Sequence, residues 1–428
     1  MRHRGALKRP VCAVNALASL ALGVTGLAIV IRYALLASVW PLATMLVVEA
    51  MFLLMSAAAL RCDLPALLLP VTVAAIVLGY TTNHPGTTMF NALFYAQAVI
   101  AGLAVIVGSV AQWRGRVRPT VAGRRWLAGV AAVLVVSLAA WQACAAVDRG
   151  ETEVSDNIWQ VPSAFEQPAD HAGTLEKITY QTKAYATDKR DVTKAAYVYL
   201  PYGYDDSQRY DILYLMHGTG DDESYWLSKH DENKRMVDQF IERGIIKPMI
   251  IVTPTFYVEN DAADDLDKLT YSFASELRND LMPTVESRYA TYADSADDAG
   301  FVASRDHRAF AGLSRGAVTT YHSVLCQSLD YFSWFGTFSG SRTTADDLKR
   351  TIQSDEFADY PINYLYASTG AFDFAMPGQI QDYRAMLSVE PRLKAGENTR
   401  FDVFPMRYHS SGNWHLALYN FLQHVFVQ

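Results

Sequence analysis

The sequence predicts an α/β fold, a mostly parallel sheet covered by helices, preceded by an all-α membrane region of about five spans. Three observations carry this expectation. Five apolar runs crowd the first third of the chain, short strand-like runs alternate with helical periodicities in the rest, and the charge changes sign between the two parts. Up to Arg125 eleven Lys and Arg stand against two acids, Glu49 and Asp63; that balance of +9 leaves −16 for the remainder of a 428-residue chain whose total is −7. The 51% hydrophobic content therefore averages a membrane part and an acidic soluble part, and no nucleic-acid partner is expected.

The apolar runs occupy 12–36, 40–60, 64–80, 88–111 and 126–147, each near the roughly 20 residues that cross a bilayer. Arg2, Arg4, Lys8 and Arg9 precede the first run, Arg61 separates the second from the third, and Arg114, Arg116, Arg118, Arg124 and Arg125 separate the fourth from the fifth. The other two loops carry no Lys or Arg, so every basic loop falls on one side. By the positive-inside rule the N-terminus is cytoplasmic, and an odd number of spans leaves the soluble domain outside the cytoplasm. The expected division is a membrane region over 1–147 in contact with the lipid bilayer, a linker and lead-in over 148–171, and an enzyme-like domain over 172–428. Glu49 lies mid-span as a protonated or interhelically bonded carboxyl; no second acid joins it there, which argues against a transporter. Of the four cysteines only Cys326 lies in the soluble domain, so no disulfide can form within it.

Strand candidates follow in order at 195–200, 211–216, 249–254, 307–313, 334–339, 362–368 and 400–406. Between them run helical periodicities: Phe273, Leu277, Leu281 and Val285; Val318, His322, Leu325 and Leu329; and Leu418, Phe421, Leu422 and Val425. Strands that alternate with helices imply a parallel sheet buried on both faces.

Residues 307–325 read HRAFAGLSRGAVTTYHSVL and contain Gly312-Leu313-Ser314-Arg315-Gly316, the spacing G-x-S-x-G. The pentapeptide is common by itself, but here a strand ends at Leu313, a helix begins near Ala317, and glycines stand where a sharp turn needs small residues. That is the context of a nucleophile elbow and makes Ser314 the candidate nucleophile. Upstream, the 211–216 strand runs into HGTGDD, where Gly218, Thr219 and Gly220 can bring a backbone N–H close to a substrate carbonyl. The N–H groups of Thr219 and Arg315 are the expected oxyanion donors. His217 reads as structural, because in this topology the base comes from the far end of the sheet. Downstream, 362–368 leads into Asp373, the candidate acid; Asp330, Asp359, Asp382 and Asp402 are the alternatives. The last strand is followed by RYHSSGNWH, which offers His409 and His415. Asn413 is the expected N-cap of the last helix, which puts His415 in its first turn and leaves His409 in the loop three residues past Met406. Ser, then Asp, then His is the chain order of α/β-hydrolases.

The runs KAAYVYLPYGYDDSQRYDILYLMHGTGDDESYW, HRAFAGLSRGAVTTYHSVLCQSLDYFSWFGTFSG, STGAFDFAMP and YHSSGNWHLALYNFL resemble the esterase D and feruloyl esterase group of α/β-hydrolases, over about 160–428. The resemblance implies an α/β-hydrolase fold and hydrolysis of carboxylic esters, often acyl groups on polysaccharides, by Ser314, His409 and Asp373. It also implies a base five residues before a position often held by Trp, which Trp414 fills with respect to His409. No metal or organic cofactor is required; ENDAADDLD and DSADDAG lack the EF-hand spacing and read as solvated loops. Tyr225, Trp226, Phe256 and Tyr257 follow strand ends and, with Gly218 and Gly220, are candidates for lining a substrate pocket; core packing is the other reading of the aromatics. The expected function is a membrane-tethered extracytoplasmic serine esterase acting on carboxylic esters, including acyl or feruloyl groups on carbohydrates. Acyl transfer to envelope glycans or lipids uses the same triad and is the second reading, and a non-catalytic membrane sensor or scaffold is the third.

Overall fold

Eight runs become strands of one sheet: β1 (Thr174–Lys183), β2 (Asp191–Leu200), β3 (Asp211–Met216), β4 (Met249–Thr253), β5 (Arg308–Leu313), β6 (Trp334–Phe338), β7 (Tyr364–Gly370) and β8 (Thr399–Phe404). The computed structural model describes residues 156–427 apart from 158–159, 259–264, 343–344, 371–372 and 405–406. The five spans expected over 1–147 lie outside the described residues; among the described residues no helix is long and apolar enough to cross a membrane. By packing, the chain divides into a unit of 1–147 with 370–374 and 403–409, and a second unit of 148–369, 375–402 and 410–428.

The strand order is β1-β2-β4-β3-β5-β6-β7-β8. β1 and β2 pair antiparallel, as do β2 and β4, while β4, β3, β5, β6 and β7 run parallel. β3, β4, β5 and β6 are buried along their whole length, the signature of a sheet covered on both faces. The expected parallel α/β sheet is therefore present, with seven strands at or within a few residues of their expected places. β1 was not anticipated. In TLEKITYQTK only Ile178, Tyr180 and Thr182 are buried, and the opposite face is Leu175, Lys177, Thr179, Gln181 and Lys183, so this edge strand has no apolar run.

The helices are α1 (Asp231–Glu242), α2 (Leu266–Glu276), α3 (Met282–Glu286), α4 (Asp298–Ala303), α5 (Arg315–Thr319), α6 (Ala345–Thr351), α7 (Met376–Val389) and α8 (Ser411–Leu422). α2 passes through a π turn, Leu277–Leu281, into α3, and Phe273, Leu277, Leu281 and Val285 are all buried, as their spacing predicts. α5 likewise continues as a π turn, Thr320–Leu325, which buries Val318, Leu325 and Leu329 but leaves His322 half-exposed. α8 buries Leu418, Phe421, Leu422 and Val425 packs just beyond it. Its N-cap is Ser410 and not the expected Asn413. Asn413 lies inside the first turn, buried, because its amide is drawn sideways to Ser339 Oγ at 2.8 Å.

The lead-in before β1 is tied to the domain. Asn157 and Asn420 exchange backbone and side-chain hydrogen bonds of 2.9 and 2.7 Å, and Phe165 is buried against Phe240 and Tyr419. Cys326 is buried as a free thiol, and burial pushes its pKa up to about 12, so it packs as an inert apolar group.

Candidate active site

β5 delivers Ser314 at its C-terminal end, directly before α5. The serine has φ 51° and ψ −112°, in the left-handed half of the map where a side chain costs about 1–3 kcal/mol. The surroundings hold that strain in place. Ser314 N–H donates to Phe338 O at 2.7 Å, and Ser314 O accepts from Val318 N–H at 3.2 Å. A Cβ on Gly316 would stand 2.5 Å from Met216 O and 2.6 Å from His217 O, so only glycine lets α5 pack this tightly on the end of β3. A Cβ on Gly218 would stand 3.2 Å from the Cβ of Ser314, which places the loop after β3 against the nucleophile candidate.

That loop is braced from below by His217. It is buried, with Nδ1 2.7 Å from Gly218 O and Nε2 2.7 Å from Thr255 Oγ1. Burial lowers its pKa to about 4, so the ring is neutral near pH 7. Nδ1–H then donates to Gly218 O and the Thr255 hydroxyl donates to Nε2. In a trans peptide C=O and N–H point opposite ways, so pinning Gly218 O away from the surface turns the Thr219 N–H outward. Among the described residues neither the Thr219 nor the Arg315 backbone N–H has an acceptor. The Gly220 N–H does have one, Tyr257 Oη at 3.0 Å, which removes it from the set of oxyanion donors.

The four aromatic candidates separate by burial. Trp226 is 1% exposed, with its indole N–H spent on Met216 O at 2.9 Å and its ring edge-on to Phe338; it is a core residue and not a pocket surface. Phe256 is likewise core, packed on the His217 ring. Tyr257 is half-buried and holds Gly220. Tyr225 packs against His230 and Trp414, and its buried hydroxyl has no hydrogen-bond partner among the described residues.

The segments beyond β7 and β8 bring together the expected acid and base. His409 Nδ1 lies 2.9 Å from Asp373 Oδ1, the carboxylate is fully buried, and Phe374 packs on the imidazole with ring centroids 4.2 Å apart. A carboxylate at Nδ1 holds the proton there and leaves the lone pair on Nε2, the tautomer a general base requires. The other acids are occupied elsewhere: Asp330 takes Arg278 at 2.6 and 2.8 Å, Asp382 takes Ser341 Oγ at 2.5 Å, Asp402 takes Tyr366 Oη at 3.0 Å, and Asp359 is exposed. His415 has both nitrogens engaged, Nδ1 with Asn233 Oδ1 at 2.6 Å and Nε2 with Glu166 Oε1 at 3.0 Å, and ties α8 to α1 and the lead-in. The acids of DSADDAG also serve the fold, with Asp294 on Arg209, Asp297 capping α4 and Asp298 accepting from Tyr331. Among the described residues no cluster of three or more His, Cys, Asp or Glu could hold a metal.

Sequence reasoning passed over Ser339 and Gly340, which follow β6 and lie against Asn413 and Ser314 O respectively. The Ser-Gly dipeptide after a strand was the available signal.

The Esterase family model matches residues 190–369. Endo-1,4-beta-xylanase Y of Acetivibrio thermocellus is 39% identical over 241 residues, 55% of this chain and 20% of that protein. The endo-1,4-beta-xylanase/feruloyl esterase of Xylanibacter ruminicola is 29% identical over 192 residues, 44% of this chain and 24% of that protein. The chain thus spans about a fifth to a quarter of the length of these relatives. Among solved structures, a mutant of the feruloyl esterase module from Clostridium thermocellum, complexed with sinapinate, superposes with a TM-score of 0.56 at 30% identity, over 64% of this chain and 96% of that one. The ferulic acid esterase from Anaeromyces mucronatus, at 21% identity and a TM-score of 0.50, covers 64% and 98% and shares the fold.

Proposed function

This chain belongs to the feruloyl esterase-like esterases of the α/β-hydrolase superfamily, and on that premise we propose that it is a carboxylic ester hydrolase that cleaves acyl esters on carbohydrate through Ser314, His409 and Asp373. The observation that carries the reading is Ser314 itself, held at positive φ between a buried parallel strand and a helix N-terminus, beside two backbone N–H groups without acceptors among the described residues. The Asp373–His409 pair supports it with a correctly protonated base.

In the proposed reaction His409 Nε2 takes the Ser314 hydroxyl proton as Oγ attacks the ester carbonyl. The Thr219 and Arg315 N–H groups hold the resulting oxyanion, and removing one such donor typically costs about 10²–10³ in rate. The imidazolium, stabilised by Asp373, returns its proton to the departing alcohol. Water, activated by the same nitrogen, then releases the acid from the acyl-enzyme. The xylanase and feruloyl esterase relatives and the sinapinate complex favour a hydroxycinnamoyl group on a glycan as the ester.

The test uses the full chain in membranes or detergent. A fluorophosphonate should label Ser314, and methyl ferulate or 4-nitrophenyl acetate should be hydrolysed; Ser314→Ala should lose the label and about 10⁴-fold or more of the turnover while melting normally. Labelling that persists in this variant would place the chemistry elsewhere. We further propose that the domain lies outside the cytoplasm, tethered by 1–147, on the strength of the one-sided basic loops. Protease added to intact spheroplasts should digest 148–428 and spare the loop at 112–125; a protected esterase domain would reverse the topology.

A further inference from the structure

Next to the nucleophile lies a charge cluster that ester cleavage does not use. Arg315 directly follows Ser314. Arg342 comes two residues after Gly340, whose backbone is so close to Ser314 that an added Cβ would stand 2.3 Å from Ser314 O. Both arginines turn a guanidinium to Asp267, near the start of α2: Arg342 Nη1 donates to its two oxygens at 2.5 and 2.7 Å, and Arg315 Nη1 donates to Oδ1. Two cations thus share one anion, in a part of the chain that is otherwise strongly acidic. Their other guanidinium N–H groups have no acceptor among the described residues, and the Arg342 side chain is 54% exposed.

The cluster is held in position. Arg342 has φ 70°, a strained backbone for a side chain of this size. Three contacts fix it there: Ser341 Oγ and Arg342 N–H both donate to Asp382, at 2.5 and 3.2 Å, and His322 Nε2 donates to Arg342 O at 2.8 Å, its ring stacked on Tyr271 at 3.9 Å. A long cationic side chain therefore leaves a backbone fixed by these contacts, two residues after the glycine that packs on Ser314 O. Burial opposes ionisation of Asp267, but Arg315 and Arg342 outweigh it and hold its carboxyl below the usual range. Asp267 itself demonstrates that a carboxylate fits between the two guanidinium groups, whose planar forks match carboxylates in a bidentate manner.

We propose that Arg315 and Arg342 form a subsite for a carboxylate on the alcohol half of the ester, that is, for an acidic sugar of the glycan close to the acylated hydroxyl. The inference rests on Ser314 being the nucleophile and adds the charge of the substrate to that reading. The alcohol half is specified because a hydroxycinnamoyl group has no carboxylate left once it is esterified.

The experiment compares feruloyl release by the full chain from a feruloylated methyl glucuronide and from the matching neutral glucuronamide. The ratio of kcat/KM, acidic over neutral, should be about tenfold at low salt and shrink in 0.5 M salt as the half-exposed charges are screened. Arg342→Gln should bring the ratio near one, Arg342→Lys should leave it intermediate because the charge stays but the fork is lost, and Asp267→Asn should raise it by releasing both guanidinium groups. A wild-type ratio near one, or a ratio that Arg342→Gln does not change, overturns the subsite while leaving the esterase reading intact. If neither ester is cleaved and the fluorophosphonate fails to label Ser314, the subsite falls together with the nucleophile assignment.

Discussion

At its N-terminal end β5 carries Arg308, 1% exposed, with two guanidinium nitrogens on the Glu286 carboxylate at 2.8 Å each and further hydrogen bonds to Phe301 O, Tyr331 O and Ser304 Oγ. Glu286 also accepts from Tyr214 and Thr291. Six residues later, at the C-terminal end, stand Ser314 in a strained conformation and Arg315, which shares its one carboxylate with another arginine. The two ends use similar residues to opposite effect. At the first, every polar group is paired and water is excluded, so the cluster can only lock strand, helix and loop together. At the second, N–H groups remain unspent and the backbone is held under strain, which leaves binding capacity for a substrate. In parallel sheets ligands gather at the carboxyl ends of strands because the loops there converge on helix N-termini.

The largest effect that tests this contrast is at the base. His409→Ala should lower turnover at neutral pH by about 10³-fold or more with little loss of stability, whereas His415→Ala, which breaks bonds to Asn233 and Glu166, should keep much of the activity and melt earlier. The reverse pattern in steady-state rates and melting curves would move the base to His415.

The opposite end of β5 should respond in stability alone. Arg308→Met strands the Glu286 carboxylate in the core, for a cost of about 3–5 kcal/mol read from urea denaturation, with kcat per folded molecule unchanged. A second change, Glu286→Gln, should recover part of the loss. If Arg308→Met instead lowers kcat at constant stability, the division between the two ends fails.

The smallest effect concerns His217, which lies at the reactive end yet is built like the structural one. Its folded pKa is about 4 against about 6.5 in the unfolded chain. Between those values the unfolded chain binds the extra proton, so this contribution is complete above pH 6.5 and is lost as pH falls towards 4, by about 3 kcal/mol. The urea midpoint should drop between pH 7 and pH 4.5 by more in the wild type than in His217→Gln. Equal slopes would mean that the ring is not held neutral.

Much of this domain was legible in advance, for local reasons. Buried parallel strands such as DILYLM and MIIVT are apolar on both faces and stand out, while the edge strand β1, with three buried side chains, does not. The G-x-S-x-G spacing pointed to the turn at Ser314 because the steric demand falls on residues two apart, and Asp373 became the candidate acid because it follows a strong strand. Asn413 misled as a cap: its type suits that role, but Ser339, 74 residues away, takes its amide. Trp226 was ambiguous because an aromatic after a strand end suits a pocket wall and a core equally well; burial alone separates the two.

By itself, the sequence determined the alternation of strands and helices, the strained turn at Ser314 and the order Ser, Asp, His, because backbone sterics and hydrophobic periodicity act between near neighbours in the chain. Only the tertiary structure decided that Asp373 faces His409 across 36 residues, that His415 is tied to Glu166 across 249, and that Arg342 meets Asp267 across 75. Those pairings are set by which loops the folded chain brings within about 3 Å of one another, and hydrogen bonds and ion pairs act only at that range.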